Sequence, residues 1–200
     1  SQDAKRSVEC HENYAWAAVV DSDLTKGMPL KLAVSSGLDA AAHGVESYWA
    51  KGTNCVSRAM ALSAIRMIME NMEGLLAGRE TAREAMARGS MMAGLAFSNT
   101  KTTACHSISY PLTMHYSIPH GAAVSMLLAP LLKRNLPATK GSEALLNALG
   151  VSDVDELAGK IRRILKESGQ PSTLKEWPAD NNPVAIDVPM IQEILEEIYE

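Results

Sequence analysis

Apolar residues recur at three- and four-residue intervals along most of this chain, with breaks at glycine and proline, so the pattern is one of helices joined by short turns. The spacing predicts a helix over 28–36, between Gly27 and Gly37, and a second over 38–50. Asn54 or Ser57 is placed to cap a third, over 56–76. Its apolar positions Val56, Met60, Ile65, Ile68, Met72 and Leu75 cover more than one face, which predicts deep burial. A fourth helix is expected over 81–97, where alanine and methionine dominate and small residues let neighbours come close. The cleanest amphipathic pattern is 153–168, with Val154, Leu157, Ala158, Ile161, Ile164 and Leu165 on one face, Ser152 as cap and Gly169 as stop. Pro171, Pro178 and Pro183 predict a surface loop over 170–187. Pro189 then opens a last helix with Met190, Ile191, Ile194, Leu195 and Ile198 on its apolar face.

Composition supports this all-α reading. The 200 residues are 46% hydrophobic but only 4% aromatic, so the core must be aliphatic, with eleven methionines to fill it. A sheet protein draws more on aromatic and β-branched residues. A net charge of −4 excludes the basic stripe of a nucleic-acid binder. No apolar run approaches the roughly 20 residues that span a bilayer, so no membrane partner is expected. Cys10, Cys55 and Cys105 are too few and too widely spaced for a disulfide framework, and the first twenty residues lack the order of a signal peptide; a cytoplasmic location is expected. There is no GxGxxG, no GxxxxGK[ST] and no βαβ alternation, so this chain alone does not build an ordinary dinucleotide site.

The candidate chemistry lies among five histidines, His11, His43, His106, His115 and His120. Asp39 and His43 are four apart on an expected helix, which stacks them on one face. An aspartate oxygen with a histidine nitrogen suits a divalent first-row metal. His106 and His120 sit fourteen apart, and Pro119-His120-Gly121 puts His120 at the start of a new helix. The plain alternative is a surface Asp–His pair with histidines that merely pack.

Two longer segments carry a resemblance. VVDSDLTKGMPLKLAVSSGLDAAAHGVESYWA resembles the entry to the second domain of iron-containing (group III) alcohol dehydrogenases. GLAFSN, His106 and YPLTMHYSIPHGAAVSMLLAP resemble that family's second hallmark, in the right order and spacing. The resemblance implies that Asp39, His43, His106 and His120 bind one divalent metal, Fe2+ or Zn2+. It also implies that the chain is a helical bundle corresponding to the C-terminal half of the dehydroquinate synthase-like fold. Residues 1–30 would then be interdomain segment and 31–200 the metal-binding domain. The α/β domain that holds most of NAD(H) or NADP(H) would lie outside this chain. The expected reaction is metal-assisted hydride transfer between an alcohol and an aldehyde, with this chain alone inactive. Expected partners are a small alcohol or aldehyde and the N-terminal domain, and a homodimer is left open.

The chain also departs from the family. Tyr110 stands where a second histidine often assists proton transfer; it is either a proton donor or a packing residue. Phe97 matches a position lining the substrate pocket and could equally be a core aromatic. Lys101 stands where small residues are common. If the helix continues past 97, Phe97, Lys101 and Cys105 share a face, and Lys101 meets an anionic substrate; the alternative is a solvated lysine. KTTACHSISYPLT resembles the subgroup that reduces phosphonoacetaldehyde. Glu46 is expected to face solvent, or else to orient His43. Cys105 is expected to pack, His115 to sit in the turn before Pro119, and His11 to lie away from the metal. A non-redox metal-binding domain and a metal-free helical interaction domain stay open as other classes.

Overall fold

A computed structural model describes residues 10–173, and the described residues form seven α-helices and three short 3-10 turns, with no strand among them. The helices are α1 (Leu30–Trp49), α2 (Cys55–Leu76), α3 (Glu80–Phe97), α4 (Ala104–Tyr116), α5 (His120–Asn135), α6 (Ser142–Leu149) and α7 (Val154–Glu167). The all-helical architecture is the expected one. The loop expected over 170–187 lies outside the described residues from 174 on, as does the helix expected from Pro189.

The break expected at Gly37 does not occur: 28–36 and 38–50 belong to one helix, α1. Gly37 is there for packing. A Cβ on it would press on Met86 Sδ at 3.1 Å and Met72 Cε at 3.3 Å, so glycine lets α2 and α3 close on α1. The helix is buried along most of its length and packs against α2, α3 and α5, with lesser contact to α7. It is the central rod on which the others lie.

The start of α2 is a capping box. Asn54 Oδ1 accepts from the backbone of Val56 and Ser57, and Ser57 Oγ accepts from Asn54 N. Both candidate caps thus take part. Ile65, Ile68, Met72 and Leu75 are buried as expected. Val56 is not: it occupies the first turn and is 58% exposed, because the neighbouring helices cover α2 only further along. In α7 the cap is Asp153 rather than Ser152; its Oδ1 accepts from Glu156 N, while Ser152 donates to the Glu156 carboxylate. Gly169 ends the helix at φ 73°, the left-handed stop that glycine adopts without strain.

Among the described residues no helix is long and apolar enough to cross a membrane. Helix α4 rests on α5, whose first turn meets α1 where Gly121 lies against Ser35. A Cβ on Gly121 would overlap the Ser35 carbonyl, which is backbone and cannot swing aside. Gly121→Ala is therefore expected to lower stability in urea unfolding by about 1–3 kcal/mol. Gly159→Ala, on α7 with nothing within 4 Å of the new methyl, should raise it by about 0.4–1 kcal/mol.

Candidate metal centre

Asp39, His43 and Glu46 occupy one stripe of α1, because spacings of four and three bring each over the next. Facing them are His106, in the first turn of α4, and His120, the first residue of α5. Asp39 Oδ1 lies 3.3 Å from His106 Nε2 and 3.8 Å from His120 Nε2. Asp39, His106 and His120 each offer a ligand atom within 4.8 Å of the others. His43 stands beside this trio, with Nδ1 3.9 Å from Asp39 Oδ2. Its ring is stacked between His106, at 4.2 Å between centroids, and Phe97, at 4.4 Å.

Asp39 Oδ1 and His106 Nε2 are buried and have no hydrogen-bond partner. Buried polar atoms are ordinarily paired, and two facing groups that each offer a lone pair once the imidazole is neutral suit a shared cation. The donor set of carboxylate oxygen and imidazole nitrogen fits a divalent first-row ion.

The far nitrogens of the two histidines are occupied. His106 Nδ1 bonds Glu46 Oε2, and His120 Nδ1 lies 3.4 Å from Ser109 Oγ, whose own proton goes to the His106 carbonyl at 2.8 Å. Glu46 departs most from expectation. It neither faces solvent nor orients His43; it is 0% exposed and turned to His106. Nothing in the local pattern signals this, because its partner lies sixty residues away.

The other expected residues fall as follows. Tyr110 stacks on His120 at 5.9 Å between centroids. Lys101 does not share a helical face with Phe97 and Cys105. Helix α3 ends at Phe97, and Lys101 is an exposed residue in the left-handed region at φ 63°, its N–H donating to the Phe97 carbonyl at 2.7 Å. Cys105 is fully buried; burial, then the charge of Glu46, pushes its thiol pKa up, as suits a packing residue. The backbone of His115 belongs to α4 rather than to a turn. An apolar cavity of about 450 Å³ lined by Val19, Val20, Met28 and Met86 lies elsewhere and includes none of these residues.

The Fe-containing alcohol dehydrogenase C-terminal family model matches residues 33–197. The chain belongs to the Fe-containing alcohol dehydrogenase family. The NADPH-dependent butanol dehydrogenase of Clostridium saccharobutylicum is 34% identical over 167 residues, covering 80% of this chain and 43% of that protein. The 1,3-propanediol dehydrogenase of Citrobacter freundii is 34% identical over 175 residues, 82% of this chain and 45% of that protein. The sulfoacetaldehyde reductase of Bifidobacterium kashiwanohense, solved in complex with NAD+, superposes with a TM-score of 0.72 at 30% identity. That match covers 89% of this chain and 53% of that one. This chain thus spans about half the length of these relatives, and the helical fold is that of the iron-containing alcohol dehydrogenase C-terminal domain.

The titrating groups of the centre pull in opposite directions. Burial holds the His43 imidazole at about 4, against the attraction of Asp39. Burial opposes charge on His106 too, but the carboxylates at its two nitrogens outweigh it and raise the ring to about 9. Asp39 and Glu46 are both lowered: burial favours their neutral forms, and their histidine neighbours overcome it. A depressed His43 makes the unfolded chain bind more protons between about 4 and 6.5, so stability rises with pH there. The lowered carboxylates add to that acid limb. The His106 contribution is complete below 6.5 and is lost as pH rises through about 9. Chelator-treated protein is expected to be most stable near pH 6.5. Urea unfolding across pH checks this, and His106→Asn should remove the alkaline limb.

Proposed function

We propose that this chain is the metal-carrying half of an NAD(P)-dependent aldehyde reductase, with Asp39, His43, His106 and His120 holding one divalent ion, Fe2+ or Zn2+. The observation that carries the reading is the facing pair of buried, unpartnered atoms, Asp39 Oδ1 and His106 Nε2, with His120 Nε2 alongside. A metal there would supply Lewis-acid polarisation of a carbonyl oxygen. A nicotinamide, held mainly by an N-terminal α/β domain like that of the longer relatives, would supply the hydride.

In the net reaction the carbonyl carbon gains a hydride and its oxygen a proton, giving the alcohol. The chain's own groups then have distinct tasks. Phe97, stacked on His43, forms an apolar wall that fixes the ring and excludes water beside it. Tyr110 stacks on His120, and we assign it the proton that reaches the substrate oxygen. The exposed apolar side chains Met91 and Leu95, one turn apart on α3, are the kind of surface a partner domain covers.

The substrate in this reading is a small anionic aldehyde, with Lys101 as the cation that meets it. Three facts support this. Lys101 lies in the short segment between Phe97 and Thr103, whose ends both touch the centre. Its backbone is held in a left-handed conformation that costs a non-glycine residue energy, as at many ligand-binding turns. The relative from Bifidobacterium kashiwanohense is named for an aldehyde bearing a sulfonate.

Joined to a nicotinamide-binding domain, the chain is expected to reduce sulfonated or phosphonated acetaldehyde with NADH or NADPH. Chelation should abolish the activity and Fe2+ restore it. Lys101→Ala should raise KM for the anionic aldehyde by about 10- to 100-fold, the worth of one charge-assisted hydrogen bond, and leave a neutral aldehyde unaffected. Steady-state kinetics with the two aldehydes checks this, and an unchanged KM would remove Lys101 from the substrate site.

A further inference from the structure

Glu46 serves two structures at once. The N-cap of α4, Thr103, makes no side-chain cap to its own helix. The exposed backbone donors of that turn are taken instead by Glu46, across from α1. Its Oε1 accepts from Thr103 N at 3.1 Å, Cys105 N at 2.8 Å and Thr103 Oγ1 at 2.6 Å. Thr103 Oγ1 is itself held by Trp49 Nε1 at 2.8 Å. A carboxylate at a helix N-terminus is also favoured by the helix dipole. With Oε1 so engaged, Oε2 is left for His106 Nδ1.

Backbone N–H groups only donate, so Oε1 cannot exchange roles. A carboxylate oxygen with no proton only accepts. Oε2 therefore requires a proton on His106 Nδ1. In the neutral ring this leaves Nε2 as a lone pair, directed at Asp39 Oδ1 and the His120 side of the centre. We infer that Glu46 is a positioning residue: through four hydrogen bonds it locks the first turn of α4 to α1 and sets His106 in the tautomer that can ligate a metal through Nε2. Asp39 and Glu46, two turns apart on one helix, then address opposite ends of one imidazole. This inference rests on the metal-centre reading above and adds what makes His106 a competent ligand.

The discriminating variant is Glu46→Gln. The two backbone donors keep the amide oxygen where Oε1 was, so α4 stays capped. The amide nitrogen then faces His106 Nδ1 and only donates. The ring must shift its proton to Nε2 and lose that lone pair. A carboxylate that merely caps a helix would tolerate this change; one that sets a tautomer would not.

The test is Co2+ binding to the full chain, followed by titration calorimetry and by the visible absorption of the ion, with far-UV circular dichroism on each variant. The expected result is unchanged helix content with Co2+ affinity lower by about 10- to 100-fold in Glu46→Gln, the scale of losing an outer hydrogen-bond partner of a ligand. Glu46→Asp, one methylene short of His106 but still a carboxylate, should also weaken binding and carries the test if Glu46→Gln loses helix content. Wild-type affinity and spectrum in the variants would overturn this inference and leave the metal centre standing. No Co2+ binding by the wild-type chain would overturn the metal centre and this inference with it.

Discussion

His106 is held between two carboxylates from one helix, Asp39 at Nε2 and Glu46 at Nδ1; His106 and Glu46 are buried and Asp39 is partly so. Burying two acids and an imidazole is costly unless each finds partners, so the arrangement dictates what surrounds it. Helix α1 must run unbroken from Asp39 to Glu46 to present both acids on one face. Helix α4 must begin where Glu46 can accept its first amides. Helix α5 must start close enough to α1 for His120 to reach Asp39, which only a glycine at 121 allows. The link between α1 and α4 is made chiefly by these polar side chains; the broad backbone packing of α4 is on α5.

Much of the helical scaffold could be read from the chain because its signals are local. The Asn54–Ser57 cap and the apolar face of α7 depend on residues within a few positions of one another. The stripe Asp39–His43 was readable for the same reason, and the turn Pro119-His120-Gly121 fixed where α5 begins. Gly37 misled because a glycine between two helical patterns looks the same whether it stops a helix or lets two neighbours close on it; only the presence of Met72 and Met86 decides. Lys101 misled in the opposite sense. A polar run after Phe97 carries no obligatory stop, and the left-handed turn at 101 is set by the chain bending back toward α1.

Glu46 shows the limit of pattern reading at a functional site. An acid three residues after a histidine on a helix is most often solvated, and nothing within a turn of it says otherwise. Its partners, Thr103, Cys105 and His106, come from a segment nearly sixty residues later. Ser109, which faces the outer nitrogen of His120, is legible in sequence only as one more small helical residue. The candidate ligands Asp39, His43 and His120 are thus written in recognisable spacing, while the groups that meet the outer nitrogens of His106 and His120 emerge from packing.

Membership of the Fe-containing alcohol dehydrogenase family, the helical fold and the cluster of Asp39, His106 and His120 together support a metal centre. Anomalous diffraction at the metal edge, on crystals of the protein loaded with Fe2+ or Zn2+, tests it most directly. Bound metal should give one strong peak among Asp39 Oδ1, His106 Nε2 and His120 Nε2, with His43 alongside. A fully loaded protein whose only peaks lie elsewhere, with these side chains unligated, would contradict it.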